Sequence, residues 1–276
     1  MLESHRNALL YRRRKGSRKG GLLYKKIPMK MTDWDTGKVG YVEVDLVNHC
    51  GASTQGEYVN TLSVVEISSG WWEGEAIMGK GQYPTFQGLT EIRERSPFAW
   101  VGVDSDNENA FINHHLDRYC TSEGLEFTRS RPYRKNDNAY IEQKNFTHVR
   151  KPLGYLRYDT EEELAIIRAL YRNELRMYKN FFQPVMKLLR KERVNGKTKR
   201  IYDKPKTPHN RLIESGQVSR EQEEALKETY LSLNAAELKR RIDRKLSELI
   251  RLYDRKRKKR ITINPYKKLK PISVTF

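Results

Sequence analysis

PFAWVGVDSDNENAFINHHLDRYCTSEGLEFTRSRPYRKNDNAYIEQKNFTHV, residues Pro97 to Val149, is the stretch on which the reading of this chain turns. Its opening apolar run, Phe98 to Val103, has the texture of a strand buried on both faces and stops abruptly at Asp104-Ser105-Asp106-Asn107. Asn109 to Tyr119 follows with Phe111, Ile112, His115, Leu116 and Tyr119 at helical spacing, so one of His114 and His115 should face inward and the other outward. A short strand-like run, Leu125 to Thr128, leads to a basic loop, Arg129 to Asn136. Asp137 then caps a helix that runs to about Val149 and bears Glu142. Between Asp106 and Glu142 lie 35 residues.

Upstream, Tyr41 to Val47 alternates apolar and acidic residues, which predicts a strand with Glu43 and Asp45 on one face. Glu57 to Ile67 is β-branched and aromatic, Ser68-Ser69-Gly70 is a turn, and Trp71 to Met78 returns as a third strand of a meander. Thr85 to Arg95 is a short helix despite Gly88, and Trp71, Trp72 and Trp100 are expected in the core. Strands first, then alternating helix and strand, predict an α/β fold: a mixed five-stranded sheet with helices on both faces.

Asp45 mid-strand, Asp106 at a strand end and Glu142 on a later helix can converge on divalent metal. Two Mg²⁺ or Mn²⁺ ions take oxygen ligands and suit phosphodiester chemistry, one activating the attacking oxygen and one stabilising the leaving oxygen. Asp104 competes with Asp106 for the second place, and the Asp-Ser-Asp-Asn run also suits a turn or helix cap.

Charge points to the substrate. The net +19 is split as +9 over residues 1–30, −7 over 31–150 and +17 over 151–276, an acidic middle between basic arms that suits a metal-binding core held on a polyanion. The two cysteines, Cys50 and Cys120, match no disulfide framework or metal-ligand spacing, which fits a reducing compartment. No apolar run approaches a membrane span, so a cytoplasmic, nucleoid-associated protein is expected.

Residues 1–35 are read as a basic linker or arm, 36–158 as the core, and 159–276 as a basic helical region. Thr160-Glu161-Glu162-Glu163 opens a helix through Phe181 with a capping box, and Pro184 breaks it. Lys187 to Arg211 is an extended basic connector, followed by helices at about Arg220 to Leu231 and Asn234 to Asp254. The six residues Arg255 to Arg260 are all basic.

The chain resembles the DDE integrase core of retroviral integrases and bacterial insertion-sequence transposases. The resemblance is carried by Glu43-Val44-Asp45-Leu46-Val47, Ser105-Asp106-Asn107-Glu108, Thr128 to Asp137, Glu142-Gln143-Lys144-Asn145 and Asn180-Phe181-Phe182-Gln183-Pro184, and spans roughly Leu22 to Asp254. It implies an RNase H-like fold, two-metal cleavage at element ends and strand transfer into target DNA, and a homo-oligomer on DNA. On it, Asp45, Asp106 and Glu142 are the metal-binding and catalytic triad. Arg131, Tyr133, Arg134, Lys135, Asn138, Lys144 and Asn145 are candidate nucleic-acid contacts.

Two departures qualify this. Glu108 stands where that group has Gly, which puts a Cβ and a further carboxylate beside the metals. Nothing before Leu22 reads as the helix-turn-helix such transposases carry, so a truncated copy is expected. The alternatives are a catalytically impaired DNA-binding remnant and an RNase H-like nuclease without strand transfer.

Overall fold

A computed structural model describes residues 26–29, 34–106, 108, 110–131, 138–194 and 196–262. The first three strands form the expected antiparallel meander: β1 Tyr41–Asn48, β2 Val59–Glu66 and β3 Trp72–Met78. After helix α1, Gln82–Glu94, strand β4, Gly102–Ser105, adds parallel to β1. Helix α2, His114–Ser122, then leads to β5, Glu126–Arg129, parallel to β4. The strand order β3-β2-β1-β4-β5, antiparallel then parallel, is the RNase H-like arrangement.

Period-two alternation sorts the sheet's two faces. Val42, Val44 and Leu46 of β1 join Leu62, Val64 and Ile77 in a cluster with Leu89 and Ile92 of α1 and Leu116 and Cys120 of α2. Val47, Val59, Trp72 and Ala76 face the other way. They pack on α3, Ala139–Lys144, which continues through π-helical turns over Asn145–Arg150 and a last turn, Lys151–Leu153. Helix α4, Glu161–Leu170, adds Leu164, Ile167 and Leu170 to this second cluster. Its capping box is formed: Thr160 Oγ1 accepts from the Glu163 amide at 3.2 Å, and the Glu163 carboxylate accepts from the Thr160 amide at 3.1 Å. All three tryptophans expected inside are buried.

Four readings are corrected. Only the end of the Phe98 to Val103 run is strand, because Val101 donates its amide to Gly40 while Phe98 and Trp100 turn into the core. Helix α2 begins at His114, since Asn113 Oδ1 accepts from the amides of His115 and Leu116 and so caps it there. His114 and His115 are both exposed. The Lys187 to Arg211 segment is a hairpin, β6 Leu188–Val194 with β7 Lys197–Tyr202, followed by α5, Pro208–Glu214. Its base is closed by paired hydrogen bonds between Val185 and Lys206 and one from the Asp203 amide to the Lys187 carbonyl. The Asp137 cap lies outside the described residues.

Helix α6, Arg220–Ser232, places Leu226 in the first cluster, and α7, Ala235–Thr262, places Ile242 and Leu249 in the second. The last helix extends beyond Asp254 through the basic run. Lys256 there is drawn inward, bonding Asp159 at 2.9 Å and both carboxylate oxygens of Glu163 at 2.6 and 2.7 Å.

A buried polar chain crosses the second cluster: the His49 ring shares a hydrogen bond with Thr61 Oγ1 at 2.8 Å, and Thr61 with Tyr171 at 2.7 Å. Burial pushes His49 down to about 3, with the Arg150 charge adding. The unfolded chain protonates this histidine near 6.5 and the folded one resists, so its stabilising effect is full above 6.5 and is lost as pH falls toward 3. His49→Gln should therefore shrink the stability lost between pH 7 and 5 by about 1–2 kcal/mol in urea titrations. An unchanged pH dependence would show that His49 ionises freely in the folded protein.

Candidate active site

Parallel pairing sets Glu43 of β1 opposite Asp104 of β4, and Val44 opposite Ser105. The next residues are Asp45 and, just past the end of β4, Asp106. Since side chains two apart share a face, Glu43, Asp45, Asp104 and Asp106 gather on the face that α3 covers. The inner pair is buried: Glu43 accepts the Ile141 amide at 3.0 Å, and Asp104 accepts the Thr128 hydroxyl at 2.6 Å.

The outer pair stands at the rim. Asp45 accepts the amide of Leu46 at 2.8 Å and the side-chain amide of Asn145 at 2.6 Å. Burial raises its pKa to about 6, against those hydrogen bonds, and the charges of Glu108 and Glu142 raise it further. Burial likewise raises Asp106 to about 7, with the Asp45 and Glu108 charges adding. The Glu108 amide holds Asp106 at 2.9 Å, while the Glu108 carboxylate turns to Lys80 at 3.4 Å.

Glu142 is exposed on α3, which Ile141 and Asn145 fasten to β1 on either side of it. Among the described residues no three acid, histidine or cysteine side chains are gathered closely enough to hold an ion. The expected triad is thus a close pair, Asp45 and Asp106, with Glu142 acting on Asp45 through its charge. The donor set still fits a hard divalent cation in its chemistry: it consists of carboxylates, and two of them are held above their ordinary pKa by burial and by neighbouring negative charge.

The other predicted contacts divide. Tyr133, Arg134 and Lys135 lie outside the described residues, and Arg131 is half-buried beyond β5. Asn138 donates to Ser130 at 3.0 Å, and Asn145 is spent on Asp45. Lys144 is buried against Gly70, where an added Cβ would come within 3.8 Å of its Nζ. Two residues along a helix turn the side chain by about 200°, which sends Lys144 to the face opposite Glu142. Burial lowers it to about 8, with Lys179 and Arg211 adding. Sequence reasoning placed Glu43 beside Asp45 without its role as the anchor of α3; the signal was the acid two residues earlier in an alternating strand.

No family model matches the chain. Over 176 residues it is 41% identical to an uncharacterized protein, y4rM, of Sinorhizobium fredii, covering 64% of this chain and 50% of that protein. The chain thus spans about half the length of the curated relative it matches. Among solved structures, the catalytic core domain of BIV integrase is similar with a TM-score of 0.43 at 15% identity, covering 64% of this chain and 95% of that one. The catalytic core domain of HTLV-2 integrase in complex with magnesium is similar with a TM-score of 0.39 at 13% identity, covering 58% and 92%. The fold assignment rests on the strand order itself.

Raised carboxyl pKa values cost the metal-free protein stability as pH climbs from about 4 through 7, because the unfolded chain releases these protons earlier. Asp106→Asn removes one such charge and should stabilise the metal-free protein at pH 8 by roughly 1–3 kcal/mol. Mg²⁺ should raise the melting temperature of the unaltered chain and leave that of this variant unchanged. A variant no more stable than the parent at pH 8 would show that Asp106 is not under charge strain.

Proposed function

We propose that this chain is the catalytic part of a DNA transposase or integrase that cleaves at element ends and transfers the freed strand into target DNA. The observation that carries the reading is the pair Asp45 and Asp106, brought side by side by the β1–β4 register and faced by the helix that bears Glu142. The motif resemblance supplies the reaction class. The whole reaction, its DNA partner, a homo-oligomer on DNA and a place in a bacterial cytoplasm all belong to this proposal.

Asp45, Asp106 and Glu142 would hold two Mg²⁺ or Mn²⁺ ions, which when bound activate an attacking oxygen and stabilise the leaving one. Asp45 offers its carboxylate from a rigid strand, oriented by Asn145, and Asp106 is oriented by the Glu108 amide. Glu142 would complete the set from α3, whose height over β1 Glu43 fixes through the Ile141 amide. In the first step water attacks phosphorus and the bond to the 3′ oxygen breaks, leaving a 3′-hydroxyl and a 5′-phosphate. In the second, that hydroxyl attacks a target phosphodiester, so one such bond forms as another breaks.

One observation favours the impaired-remnant reading: Glu108 sets a fourth carboxylate beside the pair and raises both members. Nicking of supercoiled plasmid in Mg²⁺ or Mn²⁺ separates the readings. The unaltered chain should nick, Glu142→Gln should fall to background while keeping its DNA affinity, and Glu108→Gly should nick faster. If the unaltered chain and Glu142→Gln are equally inactive and Glu108→Gly restores nothing, the remnant reading stands.

A further inference from the structure

The β6–β7 hairpin stands out from the body as a two-stranded ribbon, a form that is marginal in water without further packing. Its register assigns its side chains to two unlike faces. Arg190 pairs with Ile201, Glu192 with Lys199 and Val194 with Lys197, and on this face Arg190 and Glu192 form an ion pair at 2.7 Å. Ile201 and Glu192, the half-buried residues of the two strands, both lie here.

The other face pairs Lys191 with Arg200 and Arg193 with Thr198. All four are exposed, and the face holds three cations and no acid. Like charges placed directly opposite across an antiparallel pair destabilise it. A marginal ribbon that sets Lys191 against Arg200 is therefore built for a charge that comes from outside, with several anions at strand spacing.

We propose that the Lys191, Arg193 and Arg200 face of this ribbon is a contact surface for the phosphate backbone of duplex DNA. It rests on the reading of DNA as the substrate and adds where, beyond the carboxylates, the chain grips it. Lys191 and Arg193 lie two residues apart on one strand, with Arg200 across from the first, so three ionic contacts can form without rearranging the backbone. Thr198 adds a hydroxyl for a phosphate oxygen. The opposite face has its acid already paired, Glu192 with Arg190.

Two charge-matched triple variants of the full chain test this. Lys191→Gln with Arg193→Gln and Arg200→Gln empties the basic face; Arg190→Gln with Lys197→Gln and Lys199→Gln removes as much charge from the other. Affinity for a short mixed-sequence DNA duplex is measured across a salt series by fluorescence anisotropy. The first variant should flatten the slope of log affinity against log salt by about 2–3, one phosphate contact per lost cation, and the second by about 1 or less. Its melting temperature should be unchanged or higher, since the opposed charges are gone.

Equal flattening by both variants would overturn the proposal, because only net charge would matter. Lack of DNA binding by the unaltered chain would sink the DNA reading and this inference together, whereas strong binding that ignores the ribbon sinks the inference alone. Leu189 and Val194 are also exposed on the hairpin, so phosphatidylserine vesicles form a further arm. Vesicle binding lost by the first variant, with DNA affinity retained, would make the face a membrane contact and overturn the proposal.

Discussion

The parallel pairing of β1 with β4 is the constraint on which the rest of this structure depends. It places acids on adjacent strands side by side, Glu43 against Asp104 and then Asp45 beside Asp106, on a face that must also be covered. Carboxylates taken from water at such spacing are costly unless hydrogen bonds or cations meet them. The inner pair is met by protein donors, the Ile141 amide and the Thr128 hydroxyl. That solution fixes where α3 begins, because its first turn must present an amide to Glu43. Glu142, one residue after that amide, is carried to the rim as a consequence.

The same sheet treats another acidic pair in the opposite way. Glu73 and Glu75 on β3 are both buried, and four arginines answer them. Arg95 binds both acids at 3.0 and 2.9 Å, Arg176 binds Glu73 at 2.9 Å, and Arg168 and Arg172 reach Glu75 at 3.2 and 2.9 Å. Truncating one member of such a network strands a buried charge, so these residues act as a structural unit tying β3 to α1 and α4. Among the described residues Asp45 and Asp106 have no arginine or lysine in ion-pair contact. One chain thus shows both arrangements: buried acids met by arginines on β3, and a raised acid pair at the β1–β4 rim without ion-pair contact among the described residues.

Much of this was legible beforehand because alternation over long strands leaves little choice. A register slip in β1 would turn Val42, Val44 and Leu46 onto the acidic face and drive Glu43 and Asp45 into the first cluster, so the meander follows from the pattern. Glu163 three residues after Thr160 likewise announced its helix start. The misreadings came where local pattern was outvoted by partners distant in sequence. Phe98 to Val101 is apolar enough for a strand, but Gly40 takes the Val101 amide and the aromatic rings fill the core. The ribbon was hidden by its charge, which suggests a connector, although Asn195-Gly196 between β-compatible runs is a hairpin signal and Gly196 has φ of +76°. Lys144 was named as a contact from the Glu142-Gln143-Lys144-Asn145 motif, whereas its helical offset from Glu142 sends it to the buried face.

Glu108 draws these strands together. A side chain in the turn after Asp106 brings bulk and charge to a crowded place, yet the turn uses this residue three times. Its amide holds Asp106, its carbonyl accepts the amides of Phe111 and Ile112, and its carboxylate reaches Lys80. The backbone roles need no particular side chain, so they hold the loop whatever stands at that position. The side chain is therefore the part free to tune the site. Lys80 offsets its charge only in part at 3.4 Å, and the remainder bears on Asp45 and Asp106. The pair therefore carries the field of two further carboxylates, Glu108 acting on both members and Glu142 on Asp45. The charge felt by this pair is thus set by one residue whose backbone the fold cannot spare.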